Sequence, residues 1–155
     1  MINSRSETAA TKPAFRRAFR SRHCLVVADG FYEWQKMNGK KQKQPFFIRM
    51  KNSRPFGMAG LWERWDKEGD PIESCTILTT EANELMRPIH DRMPVIIPPD
   101  QFDNWLDPGA HDEKQQAGLL RPFSSSDMTA YPISTKVNNP RNDVAACIEP
   151  RQEQE

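Results

Sequence analysis

Short apolar runs, punctuated by Gly, Pro, Asn and Asp, dominate the pattern along this chain. His23–Ala28 and Phe31–Gln35 read as strands separated by Asp29-Gly30. Met37-Asn38-Gly39-Lys40 carries the Asn-Gly signal of a tight hairpin and leads to a strand over Pro45–Met50. Further strands are predicted over Phe56–Trp62, Ser74–Thr79, Met93–Ile97 and Ala130–Ser134, with a polar turn at Lys67–Pro71. Helical spacing is rarer. A helix over Pro13–Arg20 begins with a proline suited to the first turn and sets Phe15 and Phe19 four apart on one face. Thr80 is placed to cap a helix over Glu81–Arg87, which must end before Pro88. Asp100–Leu106 places Phe102 near Trp105 and Leu106, and Asp107–Phe123 reads as weakly helical and then loop. Many short strands with a few short helices predict an α+β fold, one mostly antiparallel domain over residues 1–150. The polar end is read as frayed from Val144, with 151–155 as a loose tail.

Composition narrows the class. Hydrophobic residues make up 37% of 155, charged residues 28%, and the net charge is +1, a balance that excludes long disorder by charge excess. Thirteen prolines argue against long helices. No apolar run approaches the length of a membrane span, and the amino end has no apolar signal region, so a cytoplasmic protein is expected. Cys24, Cys75 and Cys147 are few, odd in number and far apart, without a C-x-x-C pair. Neither a disulfide framework nor a metal site is expected, and no cofactor. His23 and Cys24 are neighbours on a strand and point to opposite faces, which makes a shared metal improbable and a reduced, buried Cys24 the default.

Charge is unevenly distributed. Residues 1–45 hold ten basic side chains against three acidic ones, a local net charge of +7. Such a segment suits a polyanion such as nucleic acid, and equally a solvated basic surface.

Three stretches concentrate chemistry. In Ala28-Asp29-Gly30-Phe31-Tyr32-Glu33-Trp34, a carboxylate stands among three aromatic residues. Partial desolvation there would raise the Glu33 pKa toward acid–base range; the alternative is an outward Glu33 alternating with inward Tyr32 and Trp34. In Pro88-Ile89-His90-Asp91-Arg92-Met93-Pro94, two prolines bracket a histidine that titrates near neutrality and an arginine able to hold a phosphate. The third, Asn3-Ser4-Arg5-Ser6-Glu7-Thr8, reads in isolation as a disordered leader.

Four blocks resemble the SOS response-associated peptidase (SRAP) family, the abasic-site processing and DNA–protein cross-linking proteins of bacteria and eukaryotes. They are MINSRSETAATKPAFRRAFRSRHCLVVADGFYEWQK, GMAGLWERW, TILTTEANELMRPIHDRMPVII and STKVNNPRND, in family order over nearly the whole chain. The resemblance implies a protein that binds single-stranded DNA at an abasic site and becomes covalently attached to it. In the family, the cysteine after the initiator methionine is exposed by methionine removal or autoproteolysis. Its α-amine forms a Schiff base with the sugar aldehyde, and its thiol then closes a thiazolidine. By resemblance, Asn3 orients the ring-closing cysteine, and Glu33 and His90 move protons. Arg5 and Arg92 grip phosphates, and Trp34 offers a stacking surface.

This chain begins Met1-Ile2, and its three cysteines are internal, without the free α-amine that ring closure requires. The residues read as an SRAP-like domain lacking the family's usual amino-terminal segment and its nucleophile. Three readings follow: a shortened form of an abasic-site cross-linking enzyme, a single-stranded-DNA-binding remnant without catalysis, or a protein-interaction module whose motifs serve packing.

Overall fold

The computed structural model describes residues 1–39, 41–67, 69–107 and 113–151. In chain order the elements are β1 (Asn3–Arg5), α1 (Ser6–Ala9), α2 (Arg16–Ser21), β2 (His23–Ala28), β3 (Phe31–Gln35), β4 (Gln44–Met50), β5 (Phe56–Trp65), β6 (Ile72–Glu81), β7 (Arg92–Pro94), β8 (Ile96–Ile97), α3 (Phe102–Leu106), α4 (Glu113–Leu119) and β9 (Met128–Pro132). The α+β class expected from the sequence is the one the chain adopts. Its contacts divide it into two compact units. The first comprises Met1–Ala28, Phe56–Glu81 and Arg92–Phe123, the second Asp29–Pro55, Ala82–Asp91 and Ser124–Glu155. No helix of the described residues is long and apolar enough to cross a membrane.

The first unit is built on a sheet ordered β1-β6-β5-β2, with β7 paired to β6 and β8 to β5. β5 runs antiparallel to both β2 and β6, while β1 joins β6 in parallel. The two-residue period of the strands puts one set of side chains on the core face. There Leu61 and Ala59, opposite His23 and Leu25, meet Ala18 and Phe19 of α2, Val95, Ile97 and a fully buried Trp105. His23 stacks on the Trp105 ring at 3.9 Å. Its Nδ1 lies 2.8 Å from the Trp105 carbonyl and its Nε2 2.7 Å from that of Phe19. Both ring nitrogens are thus occupied by backbone, a packing role. Cys24 is half-buried on the opposite face, and burial, with a smaller effect of neighbouring Cys75, pushes its thiol up to about 11. That thiol stays protonated at neutral pH.

The second unit carries the sheet β3-β4-β9, antiparallel throughout. Tyr32, Phe47 and Tyr131 lie in register on one face with ring centroids 5.5 and 5.9 Å apart. The carboxyl-terminal segment covers that face. Trp34 Nε1–H donates to Asn138 Oδ1 at 2.7 Å, Tyr131 Oη–H donates to the Ile148 carbonyl at 2.8 Å, and Cys147 is buried.

Several boundaries differ from expectation for identifiable reasons. The end is ordered through Arg151 rather than frayed from Val144. Ile133 bridges Pro150, and the Arg151 N–H donates to the Pro132 carbonyl, because an aromatic sheet face needs a cover. Residues 152–155 of the expected loose tail lie outside the described residues, as does Lys40 of the hairpin turn, although Gly39 takes the positive φ that the turn demands. The expected leader is instead β1 and α1, fixed by hydrogen-bonded pairing with β6. The helix expected over Glu81–Arg87 is absent. Glu81 completes β6 opposite Arg92, and Asn83 Oδ1 accepts the Met86 N–H at 3.0 Å, a side-chain turn that competes with helix. β5 and β6 outrun the apolar pattern because their ladder continues through exposed residues to Trp65 opposite Ile72.

Gly30 makes the start of β3 possible. A Cβ there would fall 2.1 and 2.5 Å from ring carbons of buried Phe47 and 2.9 Å from the Ile48 carbonyl oxygen. Gly30→Ala is expected to destabilise by about 2 kcal/mol through overpacking. Urea unfolding should register a lower midpoint at unchanged slope, and an unaltered midpoint would contradict this packing.

Candidate functional site

In the second unit, strand alternation decides the roles of two adjacent residues. Glu33 and Gln35 share one face of β3, while Trp34 projects to the face sealed by the carboxyl-terminal segment. Glu33 is half-buried, and burial raises its carboxyl pKa above the ordinary carboxylate value. The positive charge of His90 opposes that rise most strongly, followed by a hydrogen bond from the Trp34 backbone and by the charge of Lys43. A carboxyl of raised pKa held near an imidazole is suited to exchanging a proton with it.

His90 is delivered by a tight turn. The Met86 carbonyl accepts N–H groups from Ile89 at 2.8 Å and from His90 at 2.9 Å, and the Ala82 N–H donates to the Asp91 carbonyl at 3.0 Å. Gln35 Nε2–H donates to the Pro88 carbonyl at 2.8 Å, so the residue two beyond Glu33 tethers the His90 turn to β3. Asp91 Oδ1 lies 3.3 Å from His90 Nδ1, and the His90 side chain remains 41% exposed. Glu33 and His90 therefore occupy one electrostatic neighbourhood.

Trp34 meets the sequence reading differently. Its indole N–H is spent on Asn138 and its ring tilts against Tyr32 at 6.3 Å. Here it pins the covering segment to β3.

Asn3, Arg5 and Arg92 belong to the first unit. Asn3 and Arg5 are exposed at the ends of β1, opposite Ile77 and Thr79 of β6. Arg5 has no carboxylate partner among the described residues. Arg92 is held by protein groups. Its Nη1 and Nη2 donate to the two carboxylate oxygens of Glu7 at 2.6 and 2.9 Å, and Nη2 also donates to the Thr79 carbonyl at 2.6 Å. The Thr79 hydroxyl in turn donates to the Ser4 carbonyl at 3.4 Å. This bidentate fork ties β7, β6, β1 and α1 together, with a carboxylate filling the geometry a phosphate would take.

Sequence reasoning thus missed Glu7 and Gln35. Glu7 is the fifth residue of the Asn3-to-Thr8 motif, four past Asn3, and Gln35 follows Glu33 by one strand period, so both stood beside residues already singled out. Among the described residues, no group of three His, Cys, Asp or Glu is arranged to hold a metal ion.

The Arg92 hydrogen bonds hold the Glu7 carboxyl below the ordinary glutamate value. Its folded pKa is lower than its unfolded one, so the pair stabilises at pH above the unfolded value and fades as pH falls through the folded value. Glu7 is half-exposed, so Glu7→Gln is expected to cost only about 1 kcal/mol near neutrality. Melting curves of the two proteins should converge as the pH drops below 4; a gap that persists there would contradict the ion pair.

Comparison with known proteins places this geometry in context. A family model described as SOS response associated peptidase (SRAP) matches residues 1–140. The abasic site processing protein YoqW of Bacillus subtilis (strain 168) is 45% identical over 150 residues, covering 96% of this chain and 66% of the relative. The abasic site processing protein HMCES of Xenopus tropicalis is 34% identical over 167 residues, covering 94% of this chain and 49% of its own. A crystal structure of a Bacteroides thetaiotaomicron protein superposes with a TM-score of 0.88 at 32% identity, covering 97% of this chain and 66% of that one. A Bordetella bronchiseptica protein does so with 0.74 at 33% identity, over 85% and 64%. The chain thus spans about two thirds of the length of the Bacillus relative and half that of the frog protein.

Proposed function

The chain belongs to the SOS response-associated peptidase (SRAP) family, and from that footing we propose that it acts on abasic sites in single-stranded DNA. The observation that carries this reading is the pairing of a half-buried Glu33, its pKa raised by burial, with the charge of His90. An abasic sugar rests mainly as a closed hemiacetal. Opening it requires a base to take the anomeric hydroxyl proton and an acid to protonate the ring oxygen. An amine then adds to the aldehyde, and water leaves as the imine forms, which again needs a proton delivered. Glu33 and His90 supply those transfers. In the first unit, Asn3 and Arg5 are exposed on β1, where Arg5 offers a cation to a DNA phosphate. Relatives named for abasic site processing support the substrate. Covalent attachment as a thiazolidine requires a cysteine that also bears a free α-amine; Cys24, Cys75 and Cys147 do not qualify. The step assigned to Glu33 and His90 is ring opening and the proton transfers of imine formation. In the first unit, Arg92, engaged with Glu7, holds β1 in place.

The test is covalent capture on a single-stranded oligonucleotide with one abasic site, using borohydride to reduce the imine to a stable amine. Capture is expected on the abasic strand and absent on the intact one. Glu33→Gln and His90→Ala should each slow it by about 100-fold. Because the Glu33 pKa is raised, the rate should climb with pH at a higher value than an ordinary carboxylate would give. Capture at the wild-type rate in both variants would overturn the assignment.

A further inference from the structure

The short helix α2 breaks the usual electrostatics of helices. Arg16 and Arg17 occupy its first turn, the first turn has no acid, and Arg20 stands in its last. The positive end of the helix dipole disfavours cations at Arg16 and Arg17, and Arg16 and Arg20, four apart, repel each other along one side. By contrast, α1 carries Glu7 and α3 carries Asp103 in the first turn. The arrangement is forced outward, because Ala18 and Phe19 are buried in the core of the first unit. Arg16, Arg17, Arg20 and the preceding Lys12 are all exposed, with no ion-pair partner among the described residues. Elsewhere in the same unit, Arg22, Arg64 and Arg92 each face a carboxylate.

Beside α2 runs a groove lined by Phe15, Ala18, Leu61, Trp62, Glu63 and Thr76, where the Glu63 carboxylate is paired with Arg22. Trp62 is 37% exposed and lies against the Arg22 guanidinium, 5.6 Å from ring centroid to carbon. Its backbone N–H donates to the Arg22 carbonyl at 2.9 Å, which fixes the ring next to the end of the helix. Exposed cations along the helix and a partly exposed indole at its carboxyl-terminal end are the two components of a sequence-independent single-strand site, phosphates on the arginines and bases on the ring.

From this placement, and resting on the DNA reading above, we propose that α2 and the Trp62 groove form a binding strip for the sugar–phosphate backbone of single-stranded DNA beyond the lesion itself. The local cost to the helix is retained because phosphates supply the missing counter-charge. Arg16, Arg17 and Arg20 set affinity and its salt dependence without selecting the abasic site.

Binding of an intact single-stranded oligonucleotide is measured against salt by fluorescence anisotropy for three proteins. These are the unaltered chain, the triple variant Arg16→Ala/Arg17→Ala/Arg20→Ala, and a charge-matched control, Lys51→Ala/Arg54→Ala/Arg121→Ala, whose positions are exposed. Loss of three phosphate contacts should flatten the slope of log affinity against log salt by about 2 for the triple variant and leave the control near the unaltered value. The triple variant should melt no lower than the unaltered chain, since alanine removes repulsion and favours helix. Equal slopes for the triple variant and the control overturn the strip while leaving the DNA reading intact. Failure of the unaltered chain to bind any single strand overturns both. Binding of the unaltered chain to acidic vesicles but not to DNA reassigns the patch to a membrane surface and likewise overturns the proposal.

Discussion

The Arg92 guanidinium is the constraint on which the first unit's candidate residues depend. It is mostly buried and engages both Glu7 oxygens and the Thr79 carbonyl. A buried cation lacking such partners would be costly, so the Glu7 carboxylate and the Thr79 carbonyl offset the burial of Arg92. The consequence reaches β1. Three residues at the chain's amino end would otherwise fray, yet Asn3 and Arg5 are held at fixed positions beside β6. The same arginine directly follows His90-Asp91 in sequence.

The second unit rests on a simpler rule, the two-residue period of β3. It assigns Glu33 and Gln35 to one face and Tyr32 and Trp34 to the other. On one side a carboxylate and an amide face the His90 turn; on the other, aromatic rings are packed under the segment that holds Asn138 and Ile148. The aromatic side gives rigidity, and the polar side gives chemistry. Burial and the His90 charge act on Glu33 in opposite directions, so its acid–base character is set by its surroundings.

Much of this was legible in the residues. Strands β2 and β3 fall on the predicted ranges because short, bounded apolar runs rich in β-branched and aromatic residues have few alternatives. The alternation of Glu33 against Tyr32 and Trp34 was readable from the strand period, whereas the burial that raises the Glu33 pKa comes from the opposite face and was not. What escaped depends on long-range pairing. β1 looked like a loose leader because its partner, β6, lies more than seventy residues away. The helix expected at Glu81–Arg87 lost to a β-ladder with Arg92 and to the Asn83 side chain, neither visible in a local window. Arg92 and Trp34 were singled out for DNA contacts, but their partners Glu7 and Asn138, 85 and 104 residues away, determine what they do in the fold.

The account stands on the claim that Glu33 and His90 form one electrostatic unit. Titration of the Glu33 carboxyl by carbon-detected NMR, in the unaltered protein and in His90→Ala, tests it most directly. The account predicts a Glu33 pKa above the ordinary carboxylate value, and a further upward move once the His90 charge is removed. An ordinary Glu33 titration that His90→Ala leaves in place would contradict it.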